Sequence, residues 1–234
     1  MIEFRAVDVD VPVWGEGGRQ ATKSLLSGVT VTLPEQRVAV LGANGSGKST
    51  LLRLLNGLVE ASSGQVLVDG IDVGREPKKA RAHVGFVFTD PLSQLVMSTP
   101  ADDIELSLRK HVKGRNERRA QAVGLLTERG LGELADRSIY DLSGGERQLV
   151  SLTTVLAVEP SVVVADEPTT LLDLRNRGEV TRALMSLEQQ VVIATHDLEL
   201  AAACDRGLVI DEGRLVFDDG APEAVAHYRE LMGA

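Results

Sequence analysis

A short apolar run, Val38–Leu41, leads directly into Gly42-Ala43-Asn44-Gly45-Ser46-Gly47-Lys48-Ser49-Thr50 and then into a helical run, Leu51–Leu58. No other feature constrains the fold as strongly. Glycines at 42, 45 and 47 permit positive φ and let a ligand approach the backbone closely. The amides of such a loop converge on one point, and the positive end of the following helix adds to their field. The result is a phosphate cradle, and it requires a strand behind it and a helix ahead of it. Within it, Lys48 supplies a charge to the β- and γ-phosphates of a bound nucleotide, and Ser49 a hydroxyl for Mg²⁺.

The rest of the chain supplies the sheet that such a loop needs. Val84–Phe88, Val162–Ala165, Val191–Ala194 and Leu208–Ile210 are continuous apolar runs like Val38–Leu41. Strands buried on both faces have this pattern, which predicts a parallel sheet covered by helices. Ile2, Phe4 and Val7, then Val29, Val31 and Leu33, then Val66 and Val68 alternate instead, predicting antiparallel strands with one wet face. From about Asp90 to Asp141 the runs stop. Arg, Leu, Ala and Glu dominate there, and helical periodicity fits Ile104–Leu108 and Val123–Leu126. That stretch is read as a helical subdomain inserted between two core strands. Gly15–Gly18 is a turn-rich break after the first strand.

Composition narrows the function. A formal charge of −9 argues against a general nucleic-acid surface. The single cysteine, Cys204, excludes an internal disulfide and reads as a small buried apolar residue. No apolar run approaches the roughly 20 residues that span a bilayer, and the start resembles no secretion signal. The expectation is a cytoplasmic protein that reaches a membrane only through a partner.

Two further segments carry chemistry. Val162–Ala165 ends in Asp166-Glu167, and acids at the end of a buried strand are costly unless a cation or partner is near. Asp166 is placed to bind Mg²⁺, and Glu167 to orient and deprotonate an attacking water. In Leu142-Ser143-Gly144-Gly145-Glu146-Arg147-Gln148-Leu149, small residues precede a predicted helix, Glu146–Ala157. Ser143, Gly144 and Gly145 therefore make a second anion-binding helix end.

This octapeptide resembles the signature of the ATP-binding-cassette (ABC) ATPases. The resemblance extends from near Ile2 to about Asp219, with Gly42–Thr50 as the Walker A loop and Asp166 as the Walker B aspartate. It implies a single ABC ATPase domain over residues 1–234 of α/β class. The expected parts are a P-loop NTPase core with a mainly parallel, RecA-like sheet, an antiparallel β subdomain, and the helical subdomain of about residues 90–141. It also implies that the signature of one subunit closes over ATP held by the Walker A loop of another. Such a head-to-tail dimer has two composite sites, and Asp173 matches the loop that crosses the interface. By the same resemblance, His196 in Ala194-Thr195-His196-Asp197 is a switch histidine at the γ-phosphate, and Trp14 stacks on adenine. The family's sensing glutamine should follow Phe88, but Thr89 stands there. Thr89 is left as a candidate Mg²⁺ ligand, with Gln94 as an alternative. Leu171 occupies a position that is usually Gly or Ala.

Three details resemble the ATPases of energy-coupling-factor (ECF) importers: Leu54-Leu55-Asn56-Gly57-Leu58, Asp90-Pro91-Leu92-Ser93-Gln94-Leu95 and Val155-Leu156-Ala157. The implied function is an ATP-binding and hydrolysing subunit at the cytoplasmic face of the cell membrane, energising through ATP-driven dimer closure an importer of biotin, another vitamin, or cobalt or nickel ions. Its partners would be a second copy or a paralogous ATPase, a transmembrane coupling subunit docked near Thr89–Met97, and a substrate-binding membrane protein. Other ABC importers or exporters, and a non-transport ABC ATPase, are the alternatives. The residues do not choose a cargo.

Overall fold

In the computed structural model the residues described are 1–14 and 20–233, so the break expected at Gly15–Gly18 lies outside them. The chain opens with two long antiparallel strands, β1 (Ile2–Trp14) and β2 (Gln20–Leu33), then β3 (Arg37–Leu41) and α1 (Lys48–Leu54). Next come β4 (Ser63–Val68), β5 (Ile71–Asp72), α2 (Pro77–His83) and β6 (Val84–Val87). A helical stretch holds α3 (Pro100–Leu108), α4 (Arg115–Glu128) and α5 (Gly144–Leu156). It leads into β7 (Val162–Asp166), α6 (Leu174–Met185), β8 (Gln190–Ala194) and α7 (Leu198–Ala202). The chain closes with β9 (Arg206–Asp211), β10 (Arg214–Gly220) and α8 (Ala221–Met232).

The strands form two sheets. One is antiparallel in the order β2-β1-β4-β5; the other runs β10-β9-β3-β8-β7-β6, parallel except for the edge strand β10. Side chains alternate across a strand, and here each face meets its own core. Val38, Val40, Val162 and Val164 join Leu51, Leu52 and Leu54 of α1 and the inner face of the antiparallel sheet. Ala39, Leu41, Val163 and Ala165 join α5, α6, α7 and α8 on the other side. Burial on both faces is why these strands read as unbroken apolar runs. α1 is thus held between the two sheets with its first residue at the end of β3.

A third apolar cluster, including Ile104, Leu108, Ala122 and Leu126, lies among α3, α4 and α5. Two predicted elements are shorter than their apolar runs suggested. The helix expected over Leu51–Leu58 ends at Leu54, because Gly57 takes φ 66° and the Leu58 amide turns back to the Arg53 carbonyl. The strand expected over Val84–Phe88 ends at Val87, whose partner is Ala165. Among the described residues no helix is long and apolar enough to cross a membrane.

Candidate active site

The cradle sits at the carboxyl end of β3, where a parallel sheet leaves its ligand crevice. Gly42 has φ 147°, and a Cβ there would strike the Ile210 carbonyl of β9. Gly47 has φ 115°, and a Cβ would come within 2.8 Å of Leu26 Cδ2 and 2.9 Å of the Leu25 carbonyl. Both positions therefore require glycine. Lys48 is buried, and its Nζ donates to the carbonyls of Gly42 at 2.8 Å and Ala43 at 3.0 Å. Burial pushes the Lys48 pKa down, while the charges of Glu167 and Asp166 pull it back up. The Ser46 hydroxyl is buried with no partner. A glycine cradle, a desolvated ammonium and an orphaned hydroxyl together fit a triphosphate.

The acids converge on the same point. Asp166, nearly fully buried, accepts from Ser49 Oγ at 2.8 Å, and the Arg53 guanidinium stands 3.7 Å from its other oxygen. A serine hydroxyl beside one carboxylate suits Mg²⁺, which keeps several waters and takes its remaining ligands from phosphate. Thr89 Oγ1 donates to the Asp166 carbonyl at 2.7 Å, so the threonine is fastened to the strand end. Gln94, the alternative, is committed elsewhere: its Oε1 accepts from the Phe88 amide at 3.2 Å.

Glu167 takes φ 51°, unusual for a residue with a side chain, and its amide donates to the Ala194 carbonyl of β8 at 2.9 Å. Its Oε2 accepts from Thr170 Oγ1 at 3.0 Å and from the His196 amide at 3.2 Å. The His196 ring connects Glu167 and the cradle. Its Nε2 lies 2.8 Å from Asn44 Oδ1 and 3.1 Å from Glu167 Oε1. One N–H serves one acceptor well, so the Asn44 contact is the hydrogen bond and Glu167 Oε1 keeps only electrostatic contact.

The second helix end faces outward. Ser143 caps α5 in a capping box: its Oγ accepts from the Glu146 amide at 3.2 Å, and its own amide donates to Glu146 Oε2 at 2.7 Å. Ser143 and Gly144 are exposed. Gly145 is buried against Asn176, where a Cβ would come within 2.5 Å of the amide group. Asp173 caps α6 by accepting from the Asn176 amide at 2.8 Å. Leu171 and Leu174 stand 71% and 83% exposed beside this end. Trp14 is 76% exposed at the end of β1.

Lys48, Ser49, Asp166, Glu167, His196 and Thr89 are thus brought together, while Gly144 of the second helix end shares a cavity with Thr89, Pro168 and Leu171. Sequence reasoning missed Asn44 as the partner of His196. It also missed Gln148 of α5, whose Nε2 donates to the Phe88 carbonyl at 3.1 Å. Polar residues of this kind carry no periodicity, and only the fold brings them within reach. Cys204 is buried as expected, with burial pushing its thiol up to about 12.

Comparison with known proteins agrees with this geometry. A family model described as ABC transporter matches residues 26–170. The biotin transport ATP-binding protein BioM of Rhizobium etli is 42% identical over 88% of this chain and 92% of its own length. The energy-coupling factor transporter ATP-binding protein EcfA1 of Mycoplasma mobile is 34% identical over 90% of this chain and 79% of its own. Among solved structures, a dimeric ATP-binding cassette in a post-hydrolysis state with ADP and Pi superposes with a TM-score of 0.82 at 28% identity. It covers 94% of this chain and 99% of its own. cbiO1 of Clostridium perfringens, part of the ABC transporter complex cbiONQ, gives 0.81 at 28% identity, covering 99% and 93%.

Proposed function

The chain belongs to the ABC transporter family, and we propose that it binds and hydrolyses ATP to energise an importer of the energy-coupling-factor class. One observation carries the reading. A phosphate cradle and its acids share one site, while a second helix start built of small residues exposes Ser143 and Gly144 on the surface.

In this reading the triphosphate lies on the amides of Gly42–Thr50, and Lys48 exchanges two backbone carbonyls for phosphate oxygens. Ser49 and Asp166 would hold Mg²⁺, which neutralises charge across the β- and γ-phosphates. Thr89 holds the Asp166 backbone in place. Glu167 takes a proton from water as its oxygen attacks the γ-phosphorus. The bond to the β–γ bridging oxygen breaks, leaving ADP and phosphate. His196 reaches the γ-phosphate by turning from Asn44. Trp14 offers an exposed ring for adenine.

Ser143, Gly144 and Gly145 of a second copy, or of a paralogous ATPase, complete the site over the γ-phosphate. A transmembrane coupling subunit fits the groove lined by Gln94, Val96, Asp103, Leu106 and Val155. Residues 90–141 act as the helical subdomain on one side of it, a division supported by the apolar cluster they form with Leu142, Val150 and Ala157. The chain then works at the cytoplasmic face of the membrane, and a substrate-binding membrane protein selects the cargo. Biotin is the first cargo to test, with other vitamins and cobalt or nickel ions next.

Glu167→Gln tests the reading. Light scattering should detect a stable dimer with ATP and Mg²⁺ and a monomer without them. A monomer under both conditions would sink the composite site. Copurification with the membrane subunits, followed by uptake of labelled biotin, identifies the cargo.

A further inference from the structure

β6 pairs with β7 only as far as Val87 and Ala165, so Phe88 leaves the sheet with its amide and carbonyl both lacking ladder partners. Buried backbone groups need partners, and two side-chain amides supply them. Gln94 Oε1 accepts from the Phe88 amide at 3.2 Å, and Gln148 Nε2 donates to the Phe88 carbonyl at 3.1 Å. Gln94 also reaches the Ser151 carbonyl of α5 through its Nε2, at 3.5 Å.

The two amides come from different functional places. Gln94 lines the groove between Gly85, Val96 and Asp103. Gln148 is 1% exposed, on the second turn of the helix whose first turn presents Ser143–Gly145. The residue after Phe88 is Thr89, whose hydroxyl is tied to the Asp166 carbonyl. One backbone residue therefore joins the groove, the signature helix and the end of the acid-bearing strand.

We infer that Gln148 is a positioning residue of the composite ATP site: with Gln94 it clamps the Phe88 backbone and so sets where α5 presents its anion-binding end. The inference rests on the function proposed above. It also accounts for how this chain links groove and site when the residue after Phe88 is a threonine already bonded to the strand. Displacing the Gln94 loop pulls on Phe88, and Gln148 carries that pull to α5.

The test uses the whole chain with Glu167→Gln as the parent, and adds Gln148→Leu, Gln94→Leu and both together. Two quantities are read: the affinity of the monomer for a fluorescent ATP analogue, and the ATP concentration giving half-maximal dimer by light scattering. Gln148→Leu should leave monomer affinity within about twofold and raise the dimerisation midpoint roughly tenfold, the loss of about one buried hydrogen bond. Because both amides hold the same residue, the double variant should shift the midpoint by less than the two single effects combined. An unchanged midpoint, or an equal loss in both quantities, overturns the inference. If Gln148→Leu does not fold, Gln94→Leu alone decides by the same criterion, since its side chain is only half-buried. A parent that binds the analogue but never dimerises removes the composite site itself, and this inference with it.

Discussion

The first turns of α1 and α5 are both proposed to bind phosphate, yet the chain treats them in opposite ways. At α1 the N-cap is Gly47, with no side chain to cap the helix, and the chain wraps around it. Leu25, Leu26 and Ile210 press on the loop so closely that two of its glycines cannot carry a Cβ. A cation, Lys48, is buried in the same turn. At α5 the N-cap is Ser143, its box is closed by Glu146, and an acid rather than a cation stands in the first turn. Ser143 and Gly144 face solvent. The first end is finished within one chain and holds its charge ready. The second has the donors but none of the surroundings, as the proposed composite site requires if another molecule brings the phosphate.

Removing the cation at the finished end should have the largest effect. Lys48→Ala deletes a buried charge aimed at phosphate, and should weaken binding of ATP to the monomer by about a hundredfold or more. Calorimetric titration checks it. A loss under tenfold would mean that the amides of the loop alone hold the triphosphate, and the two helix ends would then differ less than their surroundings suggest.

The next test acts on the open end. Gly145→Ala forces a Cβ against the Asn176 amide, so the first turn of α5 must shift or Asn176 must move. Monomer affinity for ATP should stay within about twofold, while turnover falls by tenfold or more because a misplaced donor costs transition-state stabilisation. Steady-state phosphate release together with monomer titration separates these outcomes. Equal losses in both would place the signature helix in the chain's own nucleotide site.

Both ends were legible in the sequence as motifs, α1 by its glycine loop and α5 by the small residues before it, while the contacts that fix them were not. The apolar runs of β3, β7 and β8 are unbroken because alternate residues enter two different cores, and the loop's glycines mark its path. The span of α1 was overread because Leu55 and Leu58 continue its apolar pattern past a turn at Gly57 that ends it. Thr89 could be flagged as a departure, but its bond to the Asp166 carbonyl depends on how β6 and β7 align. Asn44 meets His196 across 152 positions of sequence, and nothing local announces such a contact. Strands and loops declare themselves by period and by glycine; polar contacts between elements do not.

A smaller effect is expected at the cap itself. Ser143→Ala removes the acceptor for the Glu146 amide and should cost about 1 kcal/mol, a fall of roughly 2–4 °C in melting temperature for a chain of this size. In the proposed dimer the same variant would also lose a hydroxyl facing the partner's phosphate, so dimer formation with ATP should weaken beyond what the stability change predicts. If stability alone changes, the serine serves only as a helix cap.

Glu146→Gln probes the acid that most distinguishes the two ends. Gln can still accept from the Ser143 amide, so the capping box survives and stability near neutral pH should change by less than about 0.5 kcal/mol. The carboxylate's hydrogen bonds with Ser143 hold its pKa below the usual glutamate value. A carboxyl group lowered in this way contributes stability that is present above its unfolded pKa and lost as pH falls through its folded one. The melting difference between the two proteins should therefore hold steady at neutral pH and change only in the acid range below about pH 4. At neutral pH the variant removes a negative charge beside the place where a partner's triphosphate would sit. In the Glu167→Gln background it should lower the ATP needed for dimerisation by about two- to fivefold at low salt, and by less at high salt. A midpoint that rises, or that ignores salt, would mean the phosphate does not approach this end of α5.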